Sequence, residues 1–103
     1  MSVFAVQYGY VDRPDDLTQV RPEHRQFLAG LLTEGVLLAS GPFDPAADSS
    51  LPAGQAPGAL LLVRASSVEA AQAALDEDPF YRAGLIETRT FRGWIPVFGP
   101  IPA

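Results

Sequence analysis

Two short runs, residues 3–10 (V-F-A-V-Q-Y-G-Y) and 59–63 (A-L-L-L-V), carry apolar side chains at neighbouring positions rather than at alternate ones. Their β-branched and aliphatic content makes both of them strands. Consecutive side chains of a strand point to opposite faces, so runs of this kind need cover on both sides of their sheet. That requirement constrains the fold more than any other feature. How many helices the chain can supply decides whether the second face must be covered from outside.

The pattern supplies two helices of any length. Pro22 sits where a first helical residue belongs, with Glu23 in the first turn; His24, Phe27, Leu28, Leu31 and Leu32 then recur at helical spacing until Gly35. Residues 12–19, polar and holding Pro14 and two adjacent aspartates, are expected to form a loop. A second helix opens at a capping box, Ser66 with Glu69, and runs to about Leu75, burying Val68, Ala71, Ala74 and Leu75. Asp78 reads as the N-cap of a further turn, with Pro79 first in it and Gly84 ending it. Residues 36–39, closed by Ser40-Gly41-Pro42, form another strand. Residues 86–98 form the last, interrupted by Gly93 and Pro96 and therefore expected at a sheet edge. Residues 44–57 are a loop, long for a compact domain, as mobile or functional loops are.

The order is β-α-β-β-α-β, an α+β chain of the ferredoxin-like class, expected as one domain over residues 1–103. Right-handed crossovers put both helices on one face of a four-stranded antiparallel sheet. The other face then needs a partner, and a second copy packed sheet against sheet is the simplest one: a homodimer.

Composition removes most chemistries. There is no cysteine, the seven basic residues are all arginine, and a single histidine remains. Thiolate nucleophiles, zinc ribbons, Schiff bases and lysine-dependent phosphate loops are thereby excluded. The net charge of −5 and the scattered arginines argue against nucleic acid. No apolar stretch approaches the roughly 18 residues of a membrane span, and the first ten residues lack a signal-peptide pattern, so a cytoplasmic location is expected.

His24 shares the inward face of Phe27 and Leu28. It also lies in the first turn of its helix, where the dipole favours the neutral imidazole that a general base must be. A histidine that only hydrogen-bonds within the core fits the same spacing. Asp78 is either an N-cap or a carboxylate that orients an imidazole; the two readings are compatible because a carboxylate has two oxygens. Asp76 and Glu77 extend an acidic run that reads as a solvated helix end, and Glu23 as a helix-dipole acid. With no second histidine, no metal site is expected. Ser40 and the Gly41 amide are candidate donors to an oxyanion, and Tyr8, Phe80 and Trp94 candidate walls of an apolar pocket.

Six stretches, taken in order, resemble the YCII-related family: R-P-E-H at 21–24, E-G-V-L-L-A-S-G-P at 34–42, P-G-A-L-L-L-V at 57–63, S-V-E-A-A at 67–71, D-P-F-Y-R-A-G-L at 78–85 and F-R-G-W-I-P-V-F-G at 91–99. The resemblance implies a ferredoxin-like protomer that forms a dimeric α+β barrel, similar to muconolactone isomerases. It also implies an active site built on a histidine and an aspartate, which map onto His24 and Asp78. One activity known in the family is dehydrochlorination of a chlorinated hydroxyhydroquinone. The expectation is therefore a cofactor-independent lyase or isomerase in which His24 takes a proton from a small apolar or aromatic carbonyl or phenolic ligand, while Asp78 holds the ring tautomer. The alternatives are a non-catalytic binding or interaction module of the same fold, and a cyclase-like helper in bacterial specialised metabolism with loop 44–57 as a lid.

Overall fold

A computed structural model describes residues 1–51 and 57–102. The element order is β1 (Ser2–Tyr10), α1 (Pro14–Thr33), β2 (Leu37–Pro42), β3 (Gly58–Ala65), α2 (Val68–Asp76), α3 (Pro79–Arg82) and β4 (Ile86–Trp94). The four strands form one antiparallel sheet in the order β2-β3-β1-β4, which is the ferredoxin-like topology. The two strands with apolar runs, β1 and β3, are the central pair, and β2 and β4 are the edges.

Strand parity sorts the side chains. Phe4, Val6, Tyr8 and Tyr10 of β1, Leu61, Val63 and Ala65 of β3, and Leu37 of β2 join Leu17 and Leu28 of α1, Leu75 of α2 and Phe80 of α3 in one core. The opposite parity, including Leu60 and Leu62, turns away from the helices, as does Trp94, which pairs with Val3. Leu60 and Trp94 remain 37% and 41% exposed, so the chain's own helices do not cover this face.

Four expectations need correction. Residues 14–19 are helix, not loop: Pro14 opens α1, Asp15 and Asp16 lie in its first turn, and buried Leu17 pins that turn to the core. Pro22 is therefore inside the helix, where it leaves the Thr18 carbonyl without its partner; both residues lie on the exposed side, where water reaches that carbonyl. His24 follows Pro14 by ten residues and so lies nearly three turns in, beyond the reach of the N-terminal dipole. The cap of α2 is Ser67, whose side chain accepts from the Ala70 amide, so Ser66 and Glu69 form no capping box.

The other two corrections concern strand ends. Ser40, Gly41 and Pro42 continue β2, paired with Leu61, Leu60 and Ala59, instead of closing it. β4 runs through Gly93 and stops at Trp94, ahead of Pro96. In loop 44–57, the Ala46 amide is bonded to Asp44 and the Leu51 amide to Ser49; residues 52–56 lie outside the described residues.

Candidate functional site

Residues far apart in sequence meet where α1 crosses the sheet beside the start of α3. Leu17, His24 and Leu28 are the buried positions of α1, one stripe at helical spacing, and they carry His24 into the interior with 8% of its surface exposed. Asp78 is wholly buried. It caps α3 by accepting from the Phe80 amide through Oδ1 (2.9 Å). The same Oδ1 lies 2.8 Å from His24 Nδ1, and Oδ2 accepts from the Tyr8 hydroxyl at 3.0 Å.

This geometry sets the histidine's tautomer. The Asp78 oxygens act as acceptors, so Nδ1 carries the hydrogen and donates it. The proton-accepting nitrogen of the neutral ring is then Nε2, which has no bonding partner among the described residues and is not sealed from solvent. The ring is further held by Phe80, stacked on it with centroids 3.9 Å apart and planes 10° from parallel. Tyr10 braces Phe80 edge-on at 5.4 Å.

Burial and the Asp78 carboxylate act in the same direction on the neighbouring phenols. Burial first, and then Asp78, pushes the Tyr8 hydroxyl well above the ordinary tyrosine range. Tyr10 is pushed up to about 12 by burial and by Asp78, with Arg21 pulling the other way. Both phenols stay protonated at any physiological pH.

His24 opens on a cleft of about 330 Å³. Its apolar walls are Leu28, Pro42, Ala59, Leu61 and Phe80. Tyr10, Ser40 and Gly41 add polar atoms, and Arg21 and Arg25 complete the lining. His24, Ser40, Gly41 and Phe80 are thus brought together, as proposed from sequence. Tyr8 is not a wall: it lies behind the cleft in the core, bonded to Asp78. Trp94 lines a different hollow with Met1, Ser2, Val3, Gly93, Ile95 and Pro96. The Gly41 amide is not free either. Phe43 donates to Gly58 (2.8 Å), making that pair hydrogen-bonded, and the antiparallel alternation makes Gly41 with Leu60 the next such pair. Ser40, on the helix side of β2, remains as the polar group there.

The acidic run divides as its side chains point. Asp76 pairs with Arg89 at 2.7 Å, Glu77 with Arg82, and Asp78 turns inward. Among the described residues no three His, Asp or Glu side chains converge as a metal site requires. Sequence reasoning passed over Arg21 and Arg25. The signal was present: residues 21, 24, 25 and 28 fall at i, i+3, i+4 and i+7, one helical stripe.

Comparison with known proteins finds relatives of this chain in sequence and in fold. A family model described as the YCII-related domain matches residues 3–95. Protein YciI of Escherichia coli O6:H1 is 40% identical over 91 residues, 84% of this chain and 92% of that protein. Protein YciI of Shigella flexneri matches to the same extent. Among solved structures, a 5-chloro-2-hydroxyhydroquinone dehydrochlorinase from Burkholderia phenoliruptrix, in complex with 2,5-dihydroxybenzoquinone, superposes with a TM-score of 0.63 at 23% identity, covering 90% of this chain and 93% of that one. A dimeric ferredoxin-like protein of unknown function from Thermobifida fusca gives a TM-score of 0.52 at 19% identity, covering 91% and 90%.

Proposed function

This chain belongs to the YCII-related domain family, and we propose that it is a small-molecule enzyme whose cleft performs proton transfer, with His24 as the base. The observation that carries the reading is the 2.8 Å contact between His24 Nδ1 and Asp78 Oδ1, which leaves Nε2 as the proton acceptor of a ring that lines the cleft. In this mechanism Nε2 takes a proton from a carbon beside a carbonyl, or from a phenolic ring, of the bound molecule. Asp78 keeps the ring in the required tautomer and stabilises the imidazolium without taking the proton. Tyr8, bonded to the other oxygen of Asp78, holds that carboxylate in place and is a positioning residue.

The structural neighbour named as a dehydrochlorinase supports this class of step, because loss of hydrogen chloride needs a proton acceptor beside a departing halide. In this mechanism Ser40, which lines the cleft, donates to oxygen as negative charge develops there. A positioned base contributes about 10²–10⁴-fold. The test is a panel of carbonyl and phenolic compounds, followed by proton–deuterium exchange and by halide release, with the wild type and His24→Ala. Turnover should fall by about that factor in the variant. Activity that survives the substitution removes His24 from the mechanism.

The protein works as a homodimer in this reading, joined through the sheet face that the helices leave uncovered. Leu60, Leu62 and Trp94 lie on that face, and a structural neighbour is described as dimeric. Light scattering should give twice the 11.0 kDa chain mass, and Leu62→Asp should give the monomer. A wild type that is monomeric at micromolar concentration refutes the arrangement.

A further inference from the structure

The arginines of this chain are not distributed alike. Arg13 pairs with Asp16, Arg82 with Glu77 and Arg89 with Asp76, while Arg64 donates to the Pro102 carbonyl. Arg92, which also has no carboxylate within salt-bridge distance among the described residues, stands opposite Ala5 on the sheet face away from the helices and the cleft. Arg21 and Arg25 have no carboxylate within salt-bridge distance among the described residues, although the chain carries twelve acidic residues and a net charge of −5. Glu23, between them in sequence, lies off their stripe on the outer side of α1. Both arginines line the cleft together with His24.

Two guanidinium groups with no carboxylate partner among the described residues, beside the only histidine of an acidic protein, form a local positive field over mostly apolar walls. Arg21 and Tyr10 both line the cleft, and the arginine charge opposes the rise of the Tyr10 hydroxyl. A guanidinium presents parallel N–H donors that match a planar anion with two oxygens, such as a carboxylate or a deprotonated hydroxyquinone. The space, about 330 Å³, accommodates one substituted ring.

From these observations we infer that the cleft selects a small planar organic anion, with Arg21 and Arg25 gripping its oxyanion edge and the ring seated on the apolar walls before His24 Nε2. This rests on the reading of the cleft as the functional site and adds the charge class of its ligand. An arginine pair placed in this way would also bring the reacting position to the base in one orientation, since the anionic edge is fixed at the α1 side.

The experiment uses the single histidine as reporter. Its imidazole Hε1 resonance is one line in the proton spectrum, and benzoate and benzamide are a planar anion and its neutral isostere. Benzoate should shift that line saturably, with an affinity that weakens as salt rises, and benzamide should bind at least about 10-fold more weakly. Arg21→Gln and Arg25→Gln should each weaken benzoate about 10- to 100-fold and leave benzamide unchanged, whereas Arg13→Gln should change neither. Equal binding of the two probes, no saturable response to benzoate at millimolar concentrations, or indifference to both arginine substitutions overturns the inference. The comparison of the two probes on the wild type needs no variant to fold. His24→Gln, followed by line broadening of the ligand itself, separates this inference from the mechanism. Benzoate bound by that variant upholds the anion site whatever becomes of turnover, and benzoate lost only from the arginine variants leaves the base untouched.

Discussion

Removing the Asp78 carboxylate tests how far the site and the fold depend on one side chain. It has no exposed surface and receives three donors: the Phe80 amide at 2.9 Å, His24 Nδ1 at 2.8 Å and the Tyr8 hydroxyl at 3.0 Å. In Asp78→Ala all three lose their partner in the interior. A buried donor left unsatisfied costs about 1–3 kcal/mol, and since the three share one acceptor their costs do not simply add; a loss of about 3–6 kcal/mol follows. That approaches the whole stability of a domain of this size, about 5–15 kcal/mol. Asp78→Asn is different. Its carbonyl oxygen can stand at Oδ1 and keep both nitrogen donors, while the amide N–H₂ meets Tyr8, whose hydroxyl turns to accept. Charge assistance is lost and the Tyr8 hydroxyl hydrogen needs a new acceptor, so the cost is about 2–3 kcal/mol, offset in part by no longer burying a charge. Urea unfolding of the three proteins measures both values. The asparagine variant should also retain the His24 Nδ1 proton resonance that the alanine variant loses. Two variants of equal stability, or an alanine variant within about 1 kcal/mol of wild type, would refute the account of Asp78 as a shared acceptor.

Three further outcomes follow from neighbouring features. Burial and Asp78 push the native Tyr10 hydroxyl up to about 12 from the 10.0 of an unperturbed tyrosine, with Tyr8 raised further, so above pH 10 the unfolded chain releases protons that the native state keeps. Stability is then full below about pH 10 and falls as pH rises toward 12, by about 2–3 kcal/mol for Tyr10 alone; denaturant unfolding across that window should show the slope, and Tyr10→Phe should reduce it to the part that Tyr8 contributes. Pro22→Ala should raise stability by about 1–2 kcal/mol, because the Thr18 carbonyl regains its helical partner at a modest cost in unfolded-state entropy; a lower melting temperature would contradict this. A Cβ on Gly58 would lie 2.1 Å from the Tyr8 carbonyl oxygen, a backbone atom, so Gly58→Ala should cost about 1–3 kcal/mol by thermal melting and loosen the part of β1 that carries Tyr8.

The period of the apolar pattern made the element order and the inward position of His24 legible, because a helical stripe and a strand run are local properties. The start of α1 was misjudged because two prolines offered the same signal. Pro14 with Asp15 and Asp16 is as good an opening as Pro22 with Glu23, and only the burial of Leu17, a tertiary contact, decides between them. Tyr8 and Trp94 illustrate a second limit. Where a strand is apolar on both faces, alternation cannot say which face a residue takes. The register decides it: Tyr8 stands opposite Arg89 on the helix side, and Trp94, five residues along β4 and so of opposite parity, falls on the other face. Arg21 and Arg25 escaped notice because charged residues on a helix are ordinarily solvated, and their lack of partners exists only in three dimensions.

Asp78 shows why the cap and the orienting carboxylate looked like rival readings. A helix start and an imidazole make the same demand, an acceptor aimed at an N–H. In this fold Oδ1 meets both demands at once, while Tyr8 secures Oδ2 from the central strand. The direction of the His24 ring is thereby tied to the first turn of α3, and Phe80, the residue whose amide is capped, is also the one whose ring stacks on the imidazole. The short helix therefore fixes the histidine through a hydrogen bond and a stacked face together. A chain that lost the cap would lose the tautomer and the ring orientation in the same event, which is why the D-P-F run carries more of the site than its length indicates.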